Sequence, residues 1–244
     1  MIIPSRTSRK SGLAIAFLLT MAASMFAADV IKVFILAGQS NMEGKVQSKL
    51  MEHQASDPKT KDLFKHWRKD DDWIVRDDVW IKFLGKHGGL TKGYGSGDRT
   101  GVELEFGNVV GNHFDEPVLL IKAAWGGHSL VKNFRPPSAG LPDESFLKDE
   151  LEKAQKRVTN SNEKRNRNEA LPTMDDIKSA YGLSYRNMLG EVKDTFENYE
   201  TLFPSLKGKT LEIAGFVWFQ GWNDQYNGAE KAYGANMEQF IDNV

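Results

Sequence analysis

Cysteine is absent from this 244-residue sequence, and neither sign of charge dominates it. The chain therefore forms no disulfides, which small secreted domains commonly need, and its length allows a core large enough to do without them. A formal net charge of −1 gives no electrostatic footprint for nucleic-acid binding. With 40% hydrophobic and 27% charged residues, the composition is typical of one globular α/β domain and excludes a disordered or fibrous chain.

The sequence also lacks the ~20 consecutive apolar residues that a membrane-spanning helix needs. The apolar run at residues 13–28 is shorter, follows the basic residues Arg6, Arg9 and Lys10, and ends in small residues that suit cleavage. We interpret residues 1–28 as a secretory signal peptide, with an uncleaved membrane anchor as the alternative. This predicts a secreted or periplasmic protein whose domain, residues 29–244, carries a net charge of −4 without those three cations.

Four short apolar runs predict buried strands of a mainly parallel sheet. They cover residues 31–37, 79–83, 117–123 and 211–219. The first, third and fourth runs stop at glycine-containing polar turns. Because open α/β sheets bind ligands at the carboxyl ends of their strands, these turns form the candidate site. The pattern shows no fifth strand.

The segments between the strands predict helices and solvated loops. Helical patterns cover residues 46–69, 147–158, 175–199 and 229–244, and another begins near residue 102. Asp57-Pro58 suits a helix start. We interpret residues 88–101 as a flexible loop, because their glycines lack the dinucleotide-binding spacing, and residues 159–169 as a mobile polar loop.

Ser40 lies in the turn after the first strand, and three interpretations compete for it. In the first interpretation, Ser40 or Asn41 simply caps the next helix. A phosphate-binding loop is excluded, because no Gly-Lys-Ser/Thr follows at the required distance. A nucleophilic serine is the third interpretation, although Met42 stands where the nucleophile elbow of α/β-hydrolases has its second glycine.

The segment Gly38-Gln39-Ser40-Asn41-Met42 resembles the first sequence block of the SGNH hydrolases, especially the sialate O-acetylesterase and acetylxylan esterase-like carbohydrate esterase branch. The resemblance implies a three-layer α/β/α sandwich with a mainly parallel, flavodoxin-like sheet. It also implies that Ser40 is the nucleophile of ester hydrolysis and that Gln39 lies in the substrate pocket.

Two further blocks carry the same resemblance. Gly101 matches the glycine whose backbone N–H helps to hold an oxyanion; a plain helix-entry glycine is the rival interpretation, and Gly107 is a weaker match. Asn223 matches the asparagine whose amide donates to the oxyanion, and a simple turn residue is its alternative. Many carbohydrate-esterase relatives carry Glu-Ser where this chain has Trp222-Asn223.

The turn after the third strand resembles a glycine pair beside the family's active site. We therefore expect Gly126 and Gly127 to shape the pocket and Gln220 to point into it. The neighbouring His128 we interpret as a solvated loop residue rather than a substrate ligand.

The Asp-x-x-His segment that supplies the base and its orienting acid in this family is missing. A serine hydroxyl needs a base before it can attack an ester. None of the five histidines has an aspartate three residues earlier: His53, His66, His87, His113 and His128. We therefore expect either a C-terminally truncated fold or a pseudoenzyme.

The resemblance thus predicts a serine esterase that removes O-acetyl groups from carbohydrates. Its oxyanion hole would consist of the Ser40 and Gly101 N–H groups and the Asn223 amide, with no metal, organic cofactor or nucleic-acid partner. The alternative is a non-catalytic carbohydrate-binding domain, since five of the six tryptophans have no clear core pattern and sugar stacking stays open. Lipid or thioester hydrolysis is a weaker possibility.

Overall fold

A five-stranded β-sheet forms the centre of the protein in the computed structural model, which describes residues 29–244. The predicted signal peptide lies outside these residues. In chain order, the strands are β1 Val30–Gly38, β2 Val46–Gln47, β3 Arg68–Lys69, β4 Asp72–Trp73, β5 Val79–Phe83, β6 Lys86–Gly89, β7 Arg99–Thr100, β8 Val118–Ala124 and β9 Thr210–Phe219. The helices are α1 Ser40–Glu43, α2 Ser48–Ser56, α3 Glu103–His113, α4 Glu144–Arg165, α5 Met174–Ala180, α6 Leu183–Leu202 and α7 Tyr233–Asn243.

The order of strands in the central sheet is β6-β5-β8-β1-β9. Strand β1 runs parallel to β8 on one side and to β9 on the other, and β5 runs parallel to β8. The four parallel strands therefore lie in the order β5-β8-β1-β9, with β1 between β8 and β9. The predicted α/β fold and all four predicted strands are confirmed.

The register brings the carboxyl ends of β8, β1 and β9 level. Gly38, the last residue of β1, pairs with Ala124 of β8 and with Phe219 of β9. The helices between β1 and β8 pack on one face of the sheet and α6, between β8 and β9, packs on the other. The connections therefore change face between β1 and β9, which is where open α/β sheets bind ligands. The turns that carry Ser40, Gly126 and Asn223 all leave the sheet at this edge.

Alternating side chains of β1 pack against helices on opposite faces of the sheet. Phe34 and Leu36 face the layer that contains α2 and α3, whereas Ile31 and Val33 face the layer that contains α6. Helix α7 covers the carboxyl end of the second face through Phe240. Each fully buried aliphatic side chain stabilises the fold by ~1.5–3 kcal/mol, so these layers account for the position of the strands.

A fifth strand, β6, corrects the expectation from sequence. Its residues Lys-His-Gly-Gly have little β propensity, but β6 pairs antiparallel with β5 at the sheet edge. The following loop is also less free than its glycines suggest, because Lys86 Nζ donates to the carbonyls of Gly93, Gly95 and Gly97. Pairing with a neighbour, rather than the local pattern, determines this structure.

Three predicted helix boundaries were wrong. Asp57 ends α2 instead of starting a helix, since the residue before a proline is disfavoured in the helical region and Asp57 is extended. Helix α4 continues to Arg165 through most of the predicted polar loop, because its exposed polar residues are acceptable helix formers. The helix predicted at 175–199 breaks between α5 and α6, where the Gly182 N–H donates to Lys132 O.

Within residues 29–244, no helix combines the length and hydropathy needed to cross a membrane.

Candidate active site

Ser40 is the first residue of α1, directly after the carboxyl end of β1. Gly38 permits this turn, because its φ is +155° and a Cβ there would lie 2.2 Å from the Phe219 carbonyl oxygen. The Ser40 side chain is half-buried, and its hydroxyl has no hydrogen-bond partner in the described part of the chain. The turn therefore presents the hydroxyl without using it to hold the structure.

The end of α1 brings Gly101 close to the Ser40 turn. Gly44 donates from its backbone N–H to Ser40 O at 3.0 Å. A Cβ on Gly44, whose φ is +92°, would lie 2.6 Å from the Gly101 nitrogen. Gly101 is thus packed against Gly44, one turn of helix after Ser40.

Gln39 connects the first block to the third. Its buried side chain donates from Nε2 to Asn223 Oδ1 at 2.9 Å. Its Oε1 accepts from the Asn223 and Gly221 backbone N–H groups at 3.2 and 3.3 Å, and from Gln220 Nε2 at 3.1 Å. Only 2% of Gln39 is exposed, so the geometry gives it the role of holding the two loops together beneath the site.

Asn223 lies in the short 3₁₀ turn Trp222–Asp224 that follows β9. Its Nδ2 donates to Gly127 O at 2.8 Å, which joins the turn after β9 to the turn after β8. An asparagine amide has two N–H groups, so one remains for a ligand. Its oxygen is fixed by Gln39, and this determines the direction in which the amide points.

Gln220 presents an unpaired acceptor at the same place. Its Nε2 lies near three acceptors, including His128 O at 3.1 Å and Asp224 Oδ2 at 2.5 Å. Its Oε1 is buried and has no partner among residues 29–244. A buried acceptor without a partner is costly, so a donor from water or a ligand would stabilise it.

Asp224 anchors the loop after β8, a role that the sequence did not reveal. Its carboxylate is 2% exposed and accepts from the Leu130 and Val131 backbone N–H groups, both at 2.8 Å. Two charge-assisted bonds to backbone therefore fix the segment that follows Gly126 and Gly127.

Gly126 lies beside the side chains at the end of α1, and Gly127 lies beside Asn223. A Cβ on Gly126 would lie 2.7 Å from Glu43 Oε2 in α1. Gly127 contributes the carbonyl that receives the Asn223 amide. A side chain at 126 would push the Glu43 carboxylate and the Lys45 ammonium aside, so the glycine leaves room for these two side chains.

A fully buried ion pair lies under the first and second blocks. Lys122, in β8, contacts Glu103 Oε2 at 2.8 Å and Glu43 O at 3.0 Å through its Nζ. The side chains of Lys122 and Glu103 are both 0% exposed. Burial lowers the pKa of Lys122, and the nearby Glu103 opposes that change. The other Glu103 oxygen accepts from the Gly101 N–H at 2.8 Å, so this backbone donor is engaged with Glu103.

His128 is not solvated as predicted from the sequence. It is half-buried, its Nδ1 lies 2.6 Å from Ser184 Oγ, and its ring stacks on Trp125 with 6.1 Å between centroids. Burial lowers its pKa, an effect that the charge of Glu43 opposes. The packing of Trp125 and Phe134 behind the loop gives the ring its apolar surroundings.

The other four histidines lie away from the site. His66 contacts Glu105, His87 packs on Phe203, His113 packs on Phe114, and His53 is exposed on α2. Among residues 29–244, no base is hydrogen-bonded to Ser40, and no three His, Asp or Glu side chains are arranged to hold a metal ion.

The sequence matches the family described as carbohydrate esterase, sialic acid-specific acetylesterase, over residues 30–170. The chain belongs to this family. The resemblance to the sialate O-acetylesterase and carbohydrate esterase branch is thereby confirmed. The stretch that matches the esterase family contains Ser40, Gly101, Gly126 and Gly127, whereas Gln220 and Asn223 lie beyond it.

A comparison with solved structures finds distant matches, each under 15% identical. A protein from Arabidopsis thaliana is 14% identical with a TM-score of 0.45, over 88% of this chain and 67% of that one. A novel carbohydrate acetylesterase from Xanthomonas citri is 14% identical with a TM-score of 0.43, over 86% and 37%. NanS is 13% identical with a TM-score of 0.44, over 88% and 61%. The chain thus spans less than two thirds of the last two proteins. No curated protein sequence matches it.

Proposed function

We propose that this carbohydrate esterase domain removes O-acetyl groups from a carbohydrate, with Ser40 as the nucleophile. The observation that carries the proposal is the set of hydrogen bonds between Gln39, next to Ser40, and Asn223, 184 residues later. These bonds support a site in which a serine hydroxyl and an amide donor share one crevice at the sheet edge.

In the proposed reaction, Ser40 Oγ attacks the acetyl carbonyl carbon and the carbonyl oxygen becomes an oxyanion. The Ser40 backbone N–H is unpaired within α1, because the first N–H groups of a helix have no intrahelical acceptor. Together with the remaining N–H of the Asn223 amide, it would stabilise that charge. Gly101 remains the predicted third donor, and its N–H would have to exchange Glu103 for the oxyanion.

The tetrahedral intermediate then breaks down and the sugar leaves as an alcohol, so that the acetyl group remains on Ser40. Water hydrolyses this serine ester and releases acetate. Both steps need a group that accepts and returns the serine proton, and histidine is the usual one. We propose that this base is none of His53, His66, His87 and His113, which lie away from the site. The chemistry calls for no metal or organic cofactor.

The test compares acetate release from O-acetylated sialic acid and O-acetylated xylan by the wild type and by Ser40→Ala. Because the Ser40 hydroxyl holds no other group, we expect the variant to lose acetate release and to keep its circular dichroism spectrum and unfolding midpoint. Ser205→Ala, at an exposed serine, is the matched control and should retain activity. Full acetate release by the Ser40 variant would overturn the assignment.

A non-catalytic carbohydrate-binding domain is the second candidate. It is favoured by one observation, the absence of a base hydrogen-bonded to Ser40 among the described residues. Five of the six tryptophans pack against the core, so only Trp222, which is 65% exposed, remains for stacking on a sugar. Glycan binding by the wild type without any acetate release would select this function.

We also propose that the protein is exported, with residues 1–28 as its signal peptide. N-terminal sequencing of the protein recovered outside the cytoplasm is the test. A mature N-terminus near residue 29 would support export, and an intact Met1 on cytoplasmic protein would contradict it.

A further inference from the structure

A cleft of about 880 Å³ opens from Asn223 and runs along α4. One wall is the face of α4 that carries Phe146, Glu150, Lys153 and Arg157. The opposite wall is the segment that follows β9, from Tyr226 to Ala232. Asn223 belongs both to this cleft and to the candidate active site, so the cleft adjoins that site.

Positive charge is in excess on the walls of this cleft, which carry four cations and the two carboxylates of Asp149 and Glu150. Lys132 is paired with Glu150, and the Arg135 guanidinium is bound to three backbone carbonyls. Lys153 and Arg157 are exposed, one helical turn apart, and have no ion-pair partner in the described part of the chain. A local excess of cations in a domain of net charge −4 indicates an anionic ligand.

Two aromatic side chains stand in the same cleft with much of their surface in water. Phe146 is 57% exposed and Tyr226 is 52% exposed. Exposed aromatic surface beside polar groups is typical of a binding site, because a ligand with an apolar face can cover it. A pyranose ring has such a face, with hydroxyl groups around its edge.

The length of the cleft is greater than one sugar ring can fill. Phe146 and Arg157 are 11 positions apart on α4, which corresponds to ~16 Å at a rise of 1.5 Å per residue. Aromatic surface lies at the Phe146 end and cationic charge at the Arg157 end. A ligand that satisfies both carries rings that cover the aromatic surface and an acidic group that meets the cations.

We propose that this cleft binds an acidic oligosaccharide, with sugar rings on Phe146 and Tyr226 and a carboxylate on Lys153 and Arg157. The proposal rests on the proposed function, since it names the glycan class whose acetyl ester would reach Ser40. It makes the two α4 cations specificity-determining residues for a glycan chain rather than for a single acetylated sugar.

The test measures binding to the full chain by isothermal titration calorimetry with probes that carry no ester. The probes are a hexamer of hexuronic acid, the same hexamer with its carboxyl groups reduced to alcohols, a single hexuronic acid, and an oligosaccharide of sialic acid. Because none is a substrate, binding does not depend on catalysis. A failure to release acetate and a failure to bind are therefore separate results.

We expect at least one of the two acidic chains to bind more tightly than the reduced hexamer and the single sugar, with affinity falling as salt is added. Lys153→Ala/Arg157→Ala should weaken acidic-chain binding about tenfold, the sum of two exposed charge contacts. The control Lys148→Ala/Lys156→Ala removes equal charge from α4 outside the cleft and should change affinity less than about twofold. Tyr226→Ala should weaken acidic and reduced hexamers alike.

Binding of the hexuronate or the sialic acid chain identifies the source of the carboxylate, and either supports the proposal. Equal affinity for the acidic and reduced hexamers would overturn it. So would an affinity that the Lys153/Arg157 variant leaves unchanged, or a single sugar that binds as tightly as the chain.

Discussion

Replacing Lys122 by methionine tests whether the buried ion pair supports the active-site loops. The change removes the contacts of Nζ with Glu103 at 2.8 Å and with Glu43 O at 3.0 Å, together with a cation 4.4 Å from the centroid of the Phe83 ring. It leaves the Glu103 carboxylate at zero exposure without its counter-charge. Breaking a buried pair in this way costs about 3–5 kcal/mol.

That loss is large beside the total stability of a domain, which is typically ~5–15 kcal/mol. We expect Lys122→Met to lower the free energy of unfolding by about 3–5 kcal/mol in urea titrations followed by circular dichroism. Lys122→Met/Glu103→Gln should recover a substantial part of it, because the Gln side chain is neutral and its oxygen can still accept from the Gly101 N–H.

The matched control is the exposed pair of Lys193 and Glu197 on α6, whose side chains are 75% and 63% exposed. Lys193→Met should change stability by no more than about 0.5 kcal/mol. The reasoning would be refuted by a cost below about 1 kcal/mol for Lys122→Met. It would also be refuted by a double variant less stable than Lys122→Met alone.

Two further predictions concern the loop after β8. Asp224→Asn should lower the free energy of unfolding in a urea titration by about 2–4 kcal/mol, because an amide cannot accept from two backbone N–H groups as well as a carboxylate does. The control is Asp242→Asn, at an exposed aspartate. Equal effects of the two substitutions would contradict the anchoring role of Asp224. His128 should titrate below 6.5 by NMR, since burial lowers its pKa. Between the folded-state pKa of His128 and 6.5, the folded protein then binds fewer protons than the unfolded protein. The free energy of unfolding therefore rises with pH across that window and falls again as the pH is lowered. His128→Gln should remove this slope, and an unchanged slope would contradict it.

The parallel strands could be predicted because each is buried on both faces and therefore reads as a continuous apolar run. Strand β6 could not, since Lys-His-Gly-Gly carries no such signal and owes its conformation to pairing with β5. The break between α5 and α6 could not be predicted for a similar reason. It depends on a contact from Gly182 to Lys132, 50 positions earlier in the chain.

At the candidate site, the sequence predicted which turns meet but not how they are fixed. Ser40 and Asn223 follow strands that end at one edge, and the structure joins their turns through Gln39. The pair of Lys122 and Glu103 was not predicted, because Lys122 lies within an apolar strand and no residue next to it in the sequence indicates which acid it contacts. A lone lysine in a buried run is a signal that could have prompted a search for a nearby acid.

The unpaired hydroxyl of Ser40 has a consequence for how this protein can change over evolution. The turn around it is held by Gly38, Gln39 and Gly44, so foldability does not depend on the reactive atom itself. A gene copy that loses Ser40 would still encode a folded protein with an intact crevice. Under the proposed function, a single substitution at Ser40 would therefore abolish ester hydrolysis without unfolding the protein, and the variant could persist as a glycan-binding protein.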